Sequence, residues 1–270
     1  MTAAASTPIL WGLADDDTFA SVREMLPEQL APPAVPTHEP PSTLRSDGGI
    51  RSLAPVAQVP ANPRIYHITH VDNLPGIVEA GCVWSDAERI RQGLNAAVVG
   101  LTDIKQARVA KPVPCRPGTT VGQYVPFYLC PRSVMLYILH MGNYPDLTYR
   151  GGQTPMVHLQ GDMEAVVDWA DETGRPWAFT DANARAGYAR FFRDLDDLGE
   201  VNWAAVRSTD FRDRITKEGK QAEFLVYESF PWELVERIGV IDGRIAQRVT
   251  DAVREAEHKP LVRVEPGWYY

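Results

Sequence analysis

Short apolar runs alternate with helix-like patterns from residue 64 to residue 270. Runs rich in β-branched and aromatic residues predict strands, because such side chains fit a pleated, half-buried surface. Apolar residues spaced by three and four, bounded by capping residues, predict helices. Strands are predicted at 65–69, 124–130, 156–159, 177–180, 224–227, 238–240 and 261–264, and helices at 71–81, 87–92, 133–141, 162–172 and 244–256. This irregular order favours an α+β fold over a doubly wound sheet.

Two local patterns carry further predictions. Pro126 interrupts the run at 124–130 and predicts a sheet edge or a bulge, because proline cannot donate a ladder hydrogen bond. Before the helix in 71–81, Asp72 or Asn73 is expected to cap the free N–H groups, and Gly81 is expected to end the helix.

Residues 1–63 have a different composition. Nine prolines lie between residues 27 and 63, too many for helices or central strands, so the segment is predicted to be a poorly ordered, proline-rich extension. Within it, Phe19, Val22, Met25 and Leu26 predict one short amphipathic helix. The remaining residues, 64–270, are predicted to form a single domain.

Charge and composition narrow the class of protein. A net charge of −8 argues against indiscriminate coating of nucleic acid, although residues 86–116 carry six basic side chains against three acidic ones. No long apolar segment or signal-peptide pattern is present, so we expect a cytoplasmic protein without a membrane partner. The three cysteines are widely spaced and suggest reduced packing residues rather than metal ligands or disulfides.

Polar side chains attached to the predicted strands are the candidates for chemistry. The sequence has no phosphate-binding glycine loop, no nucleophile elbow and no zinc motif. His67 and Thr69 share one side of the first strand, Tyr128 lies on the second, and Glu223 precedes the apolar run Phe224–Tyr227. Each has a structural explanation: a hydrogen-bonded core histidine, a core tyrosine, or a carboxylate that faces water at a sheet edge.

At these residues the sequence resembles the DarT family of DNA ADP-ribosyltransferase toxins. The resemblance rests on four segments in the same order, 66–74, 125–137, 221–227 and 268–270, and it spans about residues 64–270. Val134, where the family commonly has proline, and the extension before Arg64 depart from the family pattern.

The resemblance implies an ADP-ribosyltransferase-like mixed, split β-sheet with surrounding helices and an NAD cleft, and no metal. His67 would hold the adenosine-side ribose of NAD, Thr69 and Asn73 would line the cleft, and Tyr128 would stack against nicotinamide. Glu223 would accept a hydrogen bond from the 2′-hydroxyl of the nicotinamide ribose. Arg108 would lie near the acceptor base or the NAD pyrophosphate.

The acceptor implied by the resemblance is a base of single-stranded DNA, with thymine favoured over guanine, and the implied partner is a macrodomain antitoxin that removes the mark. We place DNA contacts in residues 181–220, on Arg190, Arg193, Arg207 and Arg212. Two alternatives remain at this point: the same fold acting on RNA or protein, and a non-catalytic module that binds NAD or nucleic acid. Glu223→Ala is expected to fold normally and to lose transfer to single-stranded DNA.

Overall fold

The structure is a computed structural model that describes residues 58–94, 108–143, 147 and 149–270. The helix predicted near residues 15–26 and most of the predicted proline-rich extension lie outside these residues, so both stay predictions.

Eight strands of the described residues form one mixed sheet, and two more form a small separate sheet. The large sheet has the order β10-β9-β4-β1-β3-β7-β5-β6, and only β9 and β10 pair in parallel. The small sheet pairs β2 with β8. The strands are β1 (Arg64–His70), β2 (Cys82–Trp84), β3 (Tyr124–Tyr128), β4 (Met156–Asp162), β5 (Trp177–Thr180), β6 (Phe191–Phe192), β7 (Glu223–Tyr227), β8 (Ser229–Pro231), β9 (Arg237–Val240) and β10 (Leu261–Val264). The predicted α+β class is confirmed.

The helices lie between these strands and mostly begin at side-chain caps. They are α1 (Leu74–Ala80), α2 (Asp86–Arg91), α3 (Val134–Met141), α4 (Met163–Glu172), α5 (Trp203–Arg207), α6 (Arg214–Gly219) and α7 (Gly243–Ala252). The exception is α1, where Asn73 makes no capping bond and the His70 ring accepts from the Asp72 amide instead. The prediction of a cap by Asp72 or Asn73 is therefore wrong, whereas Gly81 ends α1 with φ 67°, as predicted.

Alternation along the central strands divides the apolar core between the two faces of the large sheet. Ile65, Phe127 and Phe224 lie in one cluster, which also holds buried residues of α4 and α7. Ile68 and Tyr128 lie in a second cluster with α3 and residues 268–270. Successive residues of a strand point to opposite faces, so β1 and β3 contribute to both clusters. The opposite face of β7 contributes Leu225 to a third, smaller cluster.

The strands β1 and β3 separate almost as soon as they meet. They pair only where Tyr66 lies opposite Tyr128, whereas β1 pairs with β4 along its whole length. Beside this split, the Pro126 carbonyl accepts a hydrogen bond from the His67 ring, 3.0 Å away. The prediction of an edge strand or bulge at Pro126 is wrong, because β3 lies inside the sheet and pairs regularly with β7. Proline is tolerated inside the sheet because it lies at the split. There β1 is not paired with residue 126, so the missing N–H of proline leaves no ladder hydrogen bond unmade.

Residues 268–270 pack against β9, β4 and the turn that follows β3. The Trp268 ring covers Gly239 so closely that an added Cβ would lie 2.2 Å from it. The Tyr269 hydroxyl donates to the Met156 carbonyl at 2.8 Å, and the Tyr270 hydroxyl donates to the Arg132 carbonyl at 2.9 Å. The end of β3, where Tyr128 lies, is thereby held against the sheet.

Candidate active site

Glu223 is the first residue of β7 and is 2% exposed, so the interpretation of a carboxylate that faces water is wrong. Its backbone N–H donates to the Thr180 hydroxyl at 3.1 Å, which joins the beginning of β7 to the end of β5. The backbone N–H of Ala184 donates to the Oε1 atom of Glu223 at 2.9 Å. A buried carboxylate needs such partners, because burying it unpaired costs several kcal/mol, roughly.

Arg108 supplies the counter-charge. One guanidinium nitrogen donates to the Oε2 atom of Glu223 at 2.7 Å, and the other lies 3.4 Å from Oε1. Burial, the largest single cause, lowers the pKa of Arg108, but the charge and hydrogen bonds of Glu223, with the charges of Asp86 and Tyr128, together raise it by more. The pKa therefore lies above its ordinary value and the side chain stays charged. Two residues that are 115 positions apart in the sequence are thus brought together as a buried ion pair.

The carboxylate of Glu223 has room for one more hydrogen bond. A carboxylate offers about four lone-pair positions on its two oxygens. Among the described residues, Oε1 accepts from Ala184 and from Arg108, and Oε2 accepts from Arg108 alone. The second lone pair of Oε2 is therefore the position at which a ligand hydroxyl can donate.

Tyr128 lies directly opposite Glu223 across the β3–β7 pair, so the two side chains are on the same face of the sheet. The ring is 8% exposed. Burial, with the Glu223 charge as a further cause, raises the pKa of the phenol well above its ordinary value. The phenol therefore stays protonated and neutral at pH 7.

His67 points to the opposite face of the sheet from Tyr128 and Glu223. The register aligns Tyr66 with Tyr128 and Glu223, and His67 points to the face that carries Phe127, whose ring centroid is 5.6 Å from its own. Burial lowers the pKa of His67 to about 4, so the imidazole is neutral at pH 7. Because a carbonyl only accepts, Nδ1 carries the proton that bonds to Pro126, and Nε2 is the acceptor nitrogen.

Thr69 and Asn73 are joined to each other near the end of β1. The Asn73 amide donates to the Thr69 hydroxyl at 3.1 Å, and Thr69 is buried. Thr69 shares the face of His67, because the two are separated by one residue on the same strand.

The four arginines predicted to contact DNA lie on the segment between β5 and β7, and three of them have partners within the described residues. Arg190 donates to Asp181 and Glu200 at 2.6 and 2.7 Å. Arg212 pairs with Asp210, and Arg207 donates to the Gln58 carbonyl at 3.3 Å. Arg193 is exposed. A DNA phosphate would have to replace carboxylates at two of these positions, and the assignment of all four stays a prediction.

Three groups of the site were not predicted from the sequence: the Thr180 hydroxyl, the Ala184 amide and Lys111. The first two act on Glu223 directly, and Lys111 lies close enough for the charges of Glu223 and Arg108 to affect its pKa. A threonine that ends an apolar strand and an alanine in a loop carry no sequence signal for such contacts. Lys111 could have been noticed, since it lies three residues after Arg108 in a basic segment.

Neither a metal-binding cluster nor a membrane-spanning helix occurs among the described residues. In that part of the chain, no group of three or more His, Cys, Asp or Glu side chains is placed to hold a metal ion. No helix there is both long enough and apolar enough to cross a bilayer.

Comparison with known proteins decides the family. A family model described as "DarT: ssDNA thymidine ADP-ribosyltransferase, DarT" matches residues 66–270. The chain belongs to the DarT family. The DarT relative from Thermus sp. (strain 2.9), named "DNA ADP-ribosyl transferase", is 38% identical over 209 residues, which are 76% of this chain and 95% of that protein. The predicted family and enzyme class are thereby confirmed.

Solved DarT structures share the fold. The structure titled "Thermus sp. 2.9 DarT in complex with ADP-ribosylated ssDNA" matches with a TM-score of 0.69 at 36% identity, covering 78% of this chain and 98% of that one. The structure titled "Thermus sp. 2.9 DarT in complex with NAD+" matches with a TM-score of 0.66 at 36% identity, covering 79% and 100%.

A longer DarT relative carries a second activity in its name. The "DNA ADP-ribosyl transferase-DNA ADP-ribosyl glycohydrolase fusion protein" of Thermosipho africanus is 25% identical over 193 residues, which are 70% of this chain but 45% of the fusion protein.

Proposed function

We propose that this chain transfers ADP-ribose from NAD to a thymine base in single-stranded DNA, sequence-selectively, and releases nicotinamide. The observation that carries the proposal is the buried Glu223 carboxylate. It is paired with Arg108, Tyr128 lies opposite it, and one lone pair of Oε2 has no partner among the described residues. Family membership supports NAD as the donor and thymine as the acceptor. The Thermus structures with NAD+ and with ADP-ribosylated ssDNA support NAD as the donor and single-stranded DNA as the acceptor.

The chemistry requires a fixed negative charge close to the ribose. When the bond between ribose and nicotinamide breaks, positive oxocarbenium character develops on the sugar while the leaving group takes the electrons. In the proposed complex, Oε2 of Glu223 accepts the 2′-hydroxyl, and this hydrogen bond strengthens as the ribose becomes cationic. Because the gain occurs mainly in the transition state, it accelerates the reaction rather than only tightening binding.

The other site residues would orient the two substrates. Tyr128 would stack against nicotinamide, and the face of its neutral ring suits the planar, positively charged ring that nicotinamide has in NAD. Nε2 of His67 would accept a hydrogen bond from the adenosine-side ribose, while Thr69 and Asn73 would line the cleft. Arg108 would stabilise the negative charge that develops on the acceptor base, since its high pKa makes it a poor proton acceptor.

A single-stranded acceptor suits this arrangement, because the reactive edge of a paired base is hidden in the duplex and its extrusion costs a few kcal/mol, roughly. The assay is mass spectrometry of a random single-stranded DNA pool after incubation with NAD, beside duplex DNA, RNA and protein pools. We expect ADP-ribose on thymine of the single strand in a defined sequence context. A mark on guanine, RNA or protein would replace the proposed acceptor, and no nicotinamide release with any pool would favour a non-catalytic binding module.

Modification of DNA bases would make the enzyme toxic, and we propose a macrodomain hydrolase as its partner. The Thermosipho fusion supports this pairing, because transfer and removal of ADP-ribose are named in one protein. Induced expression in bacteria should stop growth, and co-expression of a DNA ADP-ribosyl glycohydrolase should restore it. Growth arrest that the hydrolase does not relieve would argue against this partner.

A further inference from the structure

Residues 181–190 join β5 to β6 and pass over Glu223; we call them the 181–190 strap. The strap contacts Glu223 through the Ala184 amide, which donates to Oε1 at 2.9 Å. Its two ends are held together by Arg190, whose side chain donates to Asp181 at 2.6 Å. The direction of the Glu223 carboxylate therefore depends on where the middle of the strap lies.

Lys111 holds that middle. Its ammonium group donates to the Ala186 carbonyl, two residues beyond the Ala184 amide. The same ammonium lies 5.5 Å from the ring centroid of Phe191, the residue that follows the strap. One lysine thus contacts both the centre of the strap and the strand after it.

Lys111 and Arg108 belong to the same short turn. The Lys111 amide lies 3.4 Å from the Arg108 carbonyl, and the Lys111 carbonyl accepts from the Val121 amide at 2.8 Å. One turn therefore carries both cations of the site. Arg108 binds the Glu223 carboxylate, and Lys111 binds the strap whose Ala184 amide donates to that carboxylate. Burial lowers the pKa of Lys111; Glu223 acts to raise it, and Arg108 acts to lower it.

We infer that Lys111 is a positioning residue for catalysis: it fixes the 181–190 strap so that the Ala184 amide holds Glu223 in its reactive orientation. The inference rests on the proposed function. Lys111 already donates to a backbone carbonyl of the chain and stacks over Phe191, which argues for positioning over direct contact with a substrate phosphate. Because orientation acts on the transition state, its loss lowers kcat and leaves substrate affinity nearly unchanged.

The test compares Lys111→Met with Lys111→Arg, and uses Lys259→Met as the control on the exposed segment before β10, at the opposite end of the sheet. We expect Lys111→Met to lower kcat about tenfold, with KM for NAD and KM for DNA within about twofold of the unmodified enzyme. Lys111→Arg, which keeps a charged donor, should recover most of kcat. A rise in KM for either substrate with kcat unchanged would overturn the inference, as would full activity of Lys111→Met.

Hydrogen exchange gives a second readout that does not depend on turnover. In Lys111→Met the Ala184 amide should exchange faster, and in Lys111→Arg and Lys259→Met it should keep the unmodified rate. Equal protection in all four proteins would refute the role of Lys111, even if Lys111→Met proved inactive. An unmodified enzyme that marks no DNA would instead refute the proposed function and leave the exchange experiment able to decide on the strap.

Discussion

Replacing either Arg108 or Glu223 alone should lower the free energy of unfolding by a large amount. Replacing both together should lower it by less than the sum of the two single losses. The side chains are 5% and 3% exposed and lie 2.7 Å apart, so neither charge can turn to water when its partner is removed. Glu223→Gln leaves a buried guanidinium, and Arg108→Met leaves a buried carboxylate. Each substitution should lower the free energy of unfolding by about 3–5 kcal/mol.

The double variant leaves no buried charge at this position, so its loss should be smaller than the sum of the two single losses, with a coupling energy of about 2–3 kcal/mol. Urea denaturation of the four proteins at pH 7 measures it. Because the pair is buried, raising the salt concentration should change the coupling little. Single losses that add to within about 0.5 kcal/mol of the double loss would show that the pair does not form in solution.

This result would also revise the expectation, drawn from the sequence, that Glu223→Ala folds normally. The activity of Glu223→Gln should fall at least ~100-fold in DNA transfer, because the charge that stabilises the ribose is lost. Activity and stability must therefore be measured on the same preparations, at a temperature where each variant is folded.

Two further predictions concern stability. His67 and His158 are neutral in the fold, since burial lowers the pKa of each from 6.5 to about 4. As the pH falls, the unfolded chain binds protons at these histidines before the folded chain does. The stability that each histidine contributes is therefore fully present above pH 6.5 and is lost between pH 6.5 and 4, by up to about 3 kcal/mol. The free energy of unfolding, measured across that pH range, tests this prediction. Gly239→Ala places a methyl group against the Trp268 ring and should lower the free energy of unfolding by about 1–3 kcal/mol. Gly76→Ala, in open space on α1, should raise it by about 0.5–1 kcal/mol. Equal melting temperatures for the two variants would contradict the packing of Trp268.

The sequence predicts elements well where a pattern extends over several residues. The strand at 65–69, the strand at 224–227 and the helix at 162–172 lie where the apolar spacing places them. The strands β2, β6 and β8 are two or three residues long, and so short a run has no measurable period. Their pairing is decided by the neighbours that the fold supplies.

The site shows a similar division. Side-chain identity predicts that Glu223 needs a partner, but not that the partner is Arg108 together with a loop amide, because backbone donors are present at almost every position. The rule that proline avoids central strands predicts an edge or a bulge at Pro126. In the structure the sheet is split there instead, and the His67 ring lies beside the Pro126 carbonyl. Long-range register, rather than local preference, determines these contacts.

The ion pair poses a problem that the mechanism must resolve. A carboxylate bound to a guanidinium attracts a developing ribosyl cation less strongly than a carboxylate that faces it alone. The conflict is reduced if Arg108 interacts with the acceptor base as that base becomes negative. Its interaction with Glu223 then weakens, and the Glu223 carboxylate stabilises the ribosyl cation more strongly at that stage of the reaction. Arg108→Lys keeps one positive charge but not the two-pronged contact seen here at 2.7 and 3.4 Å. We therefore expect Arg108→Lys to be more stable than Arg108→Met, yet to transfer to DNA at least ~10-fold more slowly than the unmodified enzyme. Transfer at the unmodified rate would show that a point charge suffices, and that the guanidinium geometry serves the fold alone.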